Sequence, residues 1–271
     1  MIANAVTIAG SDSGGGAGIQ ADLKAFSARG VYGASVISAL TAQNTVGVQG
    51  IFDVSADFVG AQIQSVFSDL KIGAVKIGML SQPLVIECVA EALQQYQNVP
   101  VVLDPVMVAT SGDVLLQSSA VNALTDKLFP LAELITPNLH EAAHLLGCDV
   151  AESKEDMAEQ GARLLALGCE NVLIKGGHFC GATSDDLLIG AVGEQWLSGP
   201  RHKTENTHGT GCTLSAAIAA ERAKGSNLVE AVCVAKDYVN NAIFHADRLQ
   251  VGRGHGPVHH FFELWAHNNL G

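Results

Sequence analysis

The chain has 271 residues, of which 48% are hydrophobic and 15% charged, and its formal net charge is −12. An acidic chain lacks the excess of clustered Lys and Arg that binds nucleic acid, so we expect no nucleic-acid partner. The length and the apolar content predict one domain, residues 1–271, built on a sheet that is covered on both faces.

Short apolar runs alternate with amphipathic stretches, which is typical of βαβ units around a parallel sheet. The predicted strands are residues 5–9, 34–39, 74–77, 99–103, 134–135 and 171–174. The predicted helices are residues 18–28, 56–68, 84–96, 118–128, 139–146, 154–167, 211–224 and 228–246. Residues 184–189 and 195–197 are predicted to form an antiparallel hairpin after the parallel set.

The segment AGSDSGGGAGIQAD, residues 9–22, follows the first predicted strand and is rich in glycine. Gly16, Gly18 and Ala21 match the spacing of a dinucleotide fingerprint, but the strand ends well before Gly16 and the ribose-binding acid is missing. No glycine precedes Lys-Ser or Lys-Thr at the spacing of a P-loop. The loop therefore binds another kind of ligand, or it only turns the chain.

Ligands of open α/β sheets bind beyond the carboxyl ends of the strands. In this chain those positions hold TAQN at 41–44, GM at 78–79, DPVM at 104–107, TPNLHE at 136–141 and KGGH at 175–178. Asp104 ends an apolar run, where a carboxylate is costly unless it is used, and Lys175 follows another apolar run. We interpret both as candidate site residues at one sheet edge.

Asn138 and Glu141 lie three residues apart at the start of a predicted helix, so their side chains face one way. Such a pair suits a hydrated Mg²⁺ beside a polyphosphate, because Mg²⁺ takes few protein ligands. The alternative is an ordinary helix start in which Glu141 complements the helix dipole.

The segment NTHGTGCT, residues 206–213, precedes a helix of small residues and predicts an anion site. Its two glycines let the backbone approach a ligand, and the free amides of the helix start favour negative charge. At this helix start we expect a depressed pKa for the Cys212 thiol, which makes it a candidate base. The alternatives are a core role for Cys212 and a hydrogen-bonding role for His208, which is also a candidate phosphate contact.

Together these motifs resemble the ribokinase-like hydroxymethylpyrimidine and phosphomethylpyrimidine kinases of thiamine biosynthesis over nearly the whole chain. The resemblance rests on residues 9–22, 41–45, 104–107, 136–141, 175–178, 206–212 and 254–257. It implies a three-layer α/β/α fold with a mostly parallel sheet and no large lid domain. It also implies that MgATP phosphorylates the hydroxymethyl group of 4-amino-5-hydroxymethyl-2-methylpyrimidine and then the resulting monophosphate.

The resemblance assigns the first motifs to the pyrimidine. Gln43 matches the side chain that reads the edge of the ring, and the pocket is lined by Gly10, Asp22, Met79 and Val106. The glycine loop is then on the substrate side, where its backbone closes on a flat ring.

The later motifs are assigned to ATP and to the transferred phosphate. The anion hole matches Gly209, Thr210 and Gly211, with Cys212 as the family's base or as a further part of the hole. The residues assigned to ATP and Mg²⁺ are Lys175, Asp104, Asn138, Thr207, His208 and Glu141, with Glu141 and Asp104 nearest the metal.

Two other activities remain open from the residues: a pyridoxal kinase of the same fold and a binding module without turnover. The resemblance also implies a homodimer. The tail HHFFELW, residues 259–265, is expected to pack its aromatic rings on the body with its histidines in solvent.

The cysteines and the N-terminus bear on the cellular context. The six cysteines include no CxxC pair, which argues against a disulfide framework or a structural zinc site. No apolar run approaches the roughly 18 residues of a membrane span, and no cleavable signal begins the sequence. We expect a cytoplasmic protein with no membrane partner.

Overall fold

The computed structural model describes residues 1–107, 118–177 and 183–265. The strands are β1 (Asn4–Ala9), β2 (Tyr32–Ile37), β3 (Ala39–Asn44), β4 (Gly47–Asp53), β5 (Ala74–Ile77), β6 (Val101–Leu103), β7 (Leu134–Ile135), β8 (Asn171–Ile174), β9 (Thr183–Gly190) and β10 (Gly193–Pro200). The helices are α1 (Gly18–Ala28), α2 (Ala56–Asp69), α3 (Pro83–Leu93), α4 (Ser118–Ala123), α5 (Leu139–Leu146), α6 (Lys154–Leu165), α7 (Thr210–Ala223) and α8 (Leu228–Phe244).

Eight of the strands form one sheet in the order β10-β9-β8-β7-β6-β5-β1-β2. The pairs from β2 to β8 are parallel, and β9 and β10 extend the sheet antiparallel. Side chains alternate across it: Val6 and Ile8 pack with α2 to α6 on one face, whereas Ala5 packs with α1, α7 and α8 on the other. The structure is therefore the predicted three-layer α/β/α fold with a mostly parallel sheet.

Most predicted elements are confirmed with shifted ends. The strand predicted at 34–39 is Tyr32–Ile37, and the hairpin strands are longer than predicted, at Thr183–Gly190 and Gly193–Pro200. The helix predicted at 118–128 is α-helical only to Ala123 and continues as a π-turn over Leu124–Leu128.

Residues 41–44, which follow the second predicted strand, form part of a strand that was not predicted. Ala39–Asn44 pairs antiparallel with Gly47–Asp53 in a small sheet separate from the large one. Most residues of β4 are exposed, so the alternation that reveals a half-buried strand is weak in this sequence. The small sheet projects from the carboxyl edge of the body and places Gln43 there.

Helix α7 packs across β1, β5 and β6, and its residues from Thr213 to Glu221 are all buried. At its start, Gly211 lies close to Asp104, which follows β6, and to Lys175, which follows β8. Small side chains let this helix lie close to the strands. In the described ranges, no helix has the length and apolar content needed to cross a membrane.

Candidate active site

The start of α7 is shaped by glycines that no other residue could replace without displacement of a neighbour. Gly209 caps the helix in the left-handed region at φ 77°, and a Cβ there would lie 1.9 Å from the Gly16 carbonyl oxygen. A Cβ on Gly211 would lie 3.1 Å from Lys175 Nζ. The first amides of α7 therefore open between the glycine loop and Lys175, as expected of an anion hole.

The buried carboxylate of Asp104 lies on the far side of this hole. Its Oδ1 accepts hydrogen bonds from Lys175 Nζ at 3.0 Å and from Thr136 Oγ1 at 3.0 Å. Ser215 Oγ of α7 lies 3.4 Å from its other oxygen. Burial opposes ionisation, but Lys175 and Lys76 together hold the pKa of Asp104 below its ordinary value. Asp104 is thus an anion that fixes Lys175.

Asn138 and Glu141 form a reciprocal capping box at the start of α5. Asn138 Oδ1 accepts from the Glu141 amide at 2.9 Å, and Glu141 Oε2 accepts from the Asn138 amide at 2.7 Å. The same Glu141 oxygen lies 3.9 Å from Lys175 Nζ. The Asn138 oxygen is therefore occupied by the helix start, whereas Glu141 faces Lys175 as well as its own helix.

The ionised form of the Glu141 carboxyl is disfavoured in this position. Its burial, with the charge of Asp104, raises its pKa to about 7, although Lys175 acts in the opposite direction. In the described part of the chain, no three His, Cys, Asp or Glu side chains are grouped as a metal site. The hard oxygen donors of Glu141 and Asp104 nevertheless fit a Mg²⁺ that takes its other ligands from phosphate and water.

The predicted depression of the Cys212 pKa is wrong. Burial raises the pKa of this thiol to about 11, and the carboxylates of Asp22 and Asp104 add to the effect. Lys76 and the Gly18 amide act in the opposite direction but do not outweigh burial. Cys212 is therefore a protonated thiol near neutral pH. The prediction failed because the position of Cys212 at a helix start does not reveal its burial or the carboxylates around it.

The glycine loop is organised by Asp12, which the sequence analysis did not single out. Its Oδ1 accepts from the Gly14 amide at 2.8 Å, and its Oδ2 accepts from the Gly16 and Ala17 amides at 3.0 and 2.8 Å. His208 Nε2 lies 2.9 Å from the same Oδ2. Aspartate before glycines at this spacing is the signal that could have predicted such a loop.

His208 thus has the hydrogen-bonding role that the sequence left open. It is buried and joins the glycine loop to the segment before α7. The side chain of Thr207 is exposed, while its carbonyl accepts from Thr210 Oγ1 at 2.7 Å and so shapes the helix start. The substrate-side loop and the anion hole therefore form one connected unit.

The small sheet is attached to the glycine loop through Gln43. The Gln43 amide donates to Ser13 Oγ at 2.8 Å, and Ser13 Oγ donates back to the Gln43 carbonyl at 2.9 Å. The Gln43 side-chain oxygen accepts from Thr41 Oγ1 at 3.1 Å. This leaves the Gln43 side-chain amide nitrogen as a donor for a ligand.

The other residues assigned to the pyrimidine lie at the neighbouring strand ends. A Cβ on Gly10 would lie 2.6 Å from Met79 Cε, so these two residues are in direct contact. Val106 is half-buried two residues beyond Asp104. Gly10, Met79, Val106 and Gln43 therefore lie around the same sheet edge.

Asp22 does not line an open pocket but forms a fully buried ion pair. Its Oδ2 lies 2.8 Å from Lys76 Nζ, and both side chains have 0% exposure. Thr7 Oγ1 donates to the same oxygen at 2.6 Å. Lys76 was not predicted as a site residue, although a lysine within the four-residue apolar strand Ala74–Ile77 is a detectable signal.

A second ion pair missed by the sequence analysis supports the Lys175 segment. Asp186 Oδ1 accepts from the Gly176 amide at 3.0 Å, and Asp186 Oδ2 lies 2.5 Å from Lys236 Nζ. Lys175 is therefore held on a rigid backbone. His178 of the same motif lies outside the described residues.

The expectation that the tail histidines face solvent is wrong. His259 and His260 are each 4% exposed. His260 Nε2 lies 3.0 Å from Thr213 Oγ1, which itself donates to the Gly209 carbonyl at 2.7 Å. Burial lowers the pKa of His260 to about 3, so the neutral ring supports the start of α7.

Comparison with known proteins gives a consistent result. The family model described as phosphomethylpyrimidine kinase matches residues 12–259. The hydroxymethylpyrimidine/phosphomethylpyrimidine kinase of Escherichia coli K12 is 56% identical over 262 residues, which cover 97% of this chain and 98% of that protein.

Solved structures share the fold. A phosphomethylpyrimidine kinase from Clostridium difficile superposes with a TM-score of 0.79 at 44% identity, covering 90% of this chain and 100% of that one. Pyridoxal kinase from Bacillus subtilis, in an ADP complex, superposes with a TM-score of 0.88 at 37% identity, covering 96% and 98%.

Proposed function

Because this chain belongs to the phosphomethylpyrimidine kinase family, we propose that one site at the carboxyl edge of its sheet performs two consecutive phosphoryl transfers. The chain is a small-molecule kinase of thiamine biosynthesis. It phosphorylates 4-amino-5-hydroxymethyl-2-methylpyrimidine to the monophosphate, and then the monophosphate to the diphosphate.

One observation carries the single-site proposal: the α7 amides open between a substrate-side loop and a phosphate-side cation. Asp12 and His208 join the glycine loop to this helix start, and Lys175 lies against Gly211 on its other side. The acceptor hydroxyl is placed on the side of Gln43 and Gly10, and the γ-phosphate of ATP on the side of Lys175. The helix start lies between the two reactants.

Phosphoryl transfer needs positioning and stabilisation of charge on the transferred group more than covalent help from the protein. The amides of Gly211 and Cys212 supply fixed dipoles there, and Lys175 supplies a full charge. The Thr210 amide donates to the Thr207 carbonyl instead. Asp104 holds the Lys175 ammonium in place at 3.0 Å. These groups do not need to reorganise during the transfer.

The two transfers differ in their proton requirement. The alcohol must lose its hydroxyl proton as the new P–O bond forms, whereas the monophosphate already offers an ionised oxygen near neutral pH. Cys212, a thiol at this pH, lies in the anion hole without adding a negative charge that would repel the phosphorylated substrate. We assign it to the acceptor side of the hole.

Glu141 and Asp104 are the residues that would hold Mg²⁺. Bound there, Mg²⁺ would neutralise the charge of the ATP phosphates. Glu141 would then serve as an anion, since a nearby cation lowers the pKa of a carboxylate.

Titration of Glu141 gives a prediction for stability without Mg²⁺. The folded pKa of about 7 lies above the ordinary value of 4.5, so the stability that protonation supplies is complete below about pH 4.5 and lost as the pH rises through 7. Between pH 5 and pH 8 we expect the free energy of unfolding to fall by about 2–3 kcal/mol less in Glu141→Gln than in the wild type. The measurement is urea unfolding in EDTA. The exposed control Glu159→Gln should follow the wild type, and parallel curves for Glu141→Gln and wild type would contradict the assignment.

Gln43 supplies a second prediction, on substrate recognition. We expect Gln43→Ala to raise KM for the pyrimidine by about 10–100-fold, which corresponds to one or two lost hydrogen bonds, with KM for ATP unchanged. The matched control is Gln49→Ala on β4, where the side chain is exposed and bonds only locally to the Gly47 carbonyl. Equal increases in both KM values would show that Gln43 supports the fold instead of the ring.

We also propose a homodimer in the cytoplasm. The small sheet and its surroundings expose Leu40, Val46, Ile51 and Phe52, and Phe52 is 71% exposed. Apolar side chains grouped on one projecting sheet are typical of a protein interface. Light scattering after gel filtration tests this proposal, and a change to a monomer in Phe52→Lys would support the small sheet as the contact.

The experiment that tests the function is a time course of the purified protein with MgATP and the hydroxymethylpyrimidine, followed by mass spectrometry. Monophosphate followed by diphosphate is the expected result. Pyridoxal in a parallel reaction tests the second candidate, which the similarity to Bacillus subtilis pyridoxal kinase favours. Pyridoxal phosphate without any phosphorylated pyrimidine would contradict the proposed function.

A further inference from the structure

The buried pair of Lys76 and Asp22 joins an inner strand of the sheet to α1, next to the transfer site. Lys76 is on β5, between β1 and β6, and α7 packs across all three strands. Both side chains have 0% exposure, and Nζ lies 2.8 Å from Asp22 Oδ2. An ion pair buried in this way adds little stability compared with apolar residues of similar volume.

The Lys76 ammonium lies at the acceptor end of the site. A Cβ on Gly78 would lie 2.7 Å from Nζ, so the ammonium is directly against the backbone that leads to Met79. Met79 in turn contacts Gly10 on the substrate side. Lys175 lies against Gly211 on the ATP side. Two lysines therefore lie beside the site, Lys76 toward the acceptor and Lys175 toward ATP.

The hydrogen bonding of the pair is incomplete. Asp22 Oδ2 accepts from both Lys76 and Thr7, whereas Oδ1, although buried, has no hydrogen-bond partner in the described residues. Buried carboxylate oxygens are nearly always paired, and the exceptions mark functional sites or absent ligands. The unpaired oxygen therefore indicates that the pair of Lys76 and Asp22 has a role besides stabilising the fold.

We propose that Lys76, which the Asp22 carboxylate holds in place, is a positioning residue that supports removal of the acceptor hydroxyl proton in the first transfer. In that step the O–H bond breaks as the oxygen bonds to the γ-phosphorus, and the P–O electron pair leaves with ADP. The hydroxyl proton leaves to solvent, and Cys212 remains a neutral thiol throughout the step. The buried Lys76 ammonium stabilises the negative charge that develops on the acceptor oxygen as it loses its proton, and the charge of the ammonium is balanced by Asp22.

The charges around Cys212 agree with this role. Lys76 on β5 and Lys175 after β8 are the cations that interact with the thiol, and Asp22 on α1 and Asp104 after β6 are the anions. Lys76 lowers the pKa of the Cys212 thiol, against the larger effect of burial. The second transfer starts from an ionised phosphate, so it needs this support much less.

The test uses neutral replacements of both partners, because removal of one charge would leave the other buried and unpaired. Lys76→Met with Asp22→Leu replaces the pair by apolar side chains, and Lys76→Gln with Asp22→Asn keeps a neutral hydrogen-bonded pair. The control is Glu133→Gln with Arg222→Met, which removes a half-buried ion pair at the other end of α7. The kcat of each transfer is measured separately, starting from the alcohol and from the monophosphate.

We expect at least one neutral pair to keep a wild-type Tm, to lose about 30-fold or more in kcat for the alcohol, and to lose less than about threefold for the monophosphate. The proposal would be overturned by wild-type rates for both substrates, by equal losses for both, or by failure of both neutral pairs to fold. Each of these results would mean that Lys76 and Asp22 have only a structural role. The inference rests on the proposed two-step function. If the wild-type enzyme makes no diphosphate, the two-step function is refuted. If the wild-type enzyme phosphorylates both substrates, the rates of the variants test the role of Lys76 alone.

Discussion

Replacement of Lys175 with methionine is expected to lower kcat by about 10³-fold for both transfers, because removal of one preorganised charge from an anion site has an effect of this size. The Lys175 ammonium is only partly exposed and is fixed by Asp104 at 3.0 Å and Glu141 at 3.9 Å. In the proposed arrangement it faces the donor phosphate, which is the same in both steps. The two rates should therefore fall together, unlike those of the Lys76 variants.

The matched control is Lys154→Met, which removes a lysine that is 53% exposed and paired with Asp185 at the surface. Its kcat should equal that of the wild type, because exposed ion pairs contribute little. Both variants are measured by ADP release at saturating ATP, with Tm recorded to exclude unfolding. A Lys175→Met enzyme within about threefold of the wild-type kcat would remove Lys175 from the transfer.

Replacement of Gly209 with alanine is expected to lower kcat by more than about 100-fold in both steps. Alanine is strained at φ 77°, and its Cβ would lie 1.9 Å from the Gly16 carbonyl oxygen, so the glycine loop and the helix start must separate. A displacement of about 1 Å at reacting groups is enough for a loss of this size.

The variant Gly225→Ala distinguishes the effect of backbone strain from the effect of a steric clash. Gly225 lies just after α7 at φ 95°, with no atom within 4 Å of its Cβ position. That variant should lose about 1–2 kcal/mol of stability from backbone strain alone and keep its kcat. Equal kcat values for the two alanine variants would mean that contact between Gly209 and the loop is not needed for transfer.

Much of the fold could be predicted from the sequence because most elements carry a strong local signal. The parallel strands are short apolar runs, and α5 and α6 begin at residues that form capping boxes, Asn138 and Ser153. The small sheet was missed because its stability comes from backbone pairing between exposed residues such as Phe52 and not from a buried face.

The arrangement of the candidate site residues could be predicted in part, because only some of their contacts follow from the order of the strands. Motifs at strand ends indicated Asp104, Lys175 and the start of α7, since topology brings strand ends together. Contacts between distant segments could not be read in the same way. The bond from His208 to Asp12 spans 196 residues, and the pairing of Lys76 with Asp22 spans 54. The pKa of Cys212 was predicted in the wrong direction because it depends on these same distant charges and on burial.

Competition between the two acceptors tests most directly whether one site carries both transfers. Diphosphate formation from the monophosphate is measured at increasing concentrations of the alcohol, with saturating MgATP. A single site predicts competitive inhibition, with an inhibition constant equal to the KM of the alcohol in its own phosphorylation. Diphosphate formation that the alcohol does not inhibit would contradict the account and require a second acceptor site.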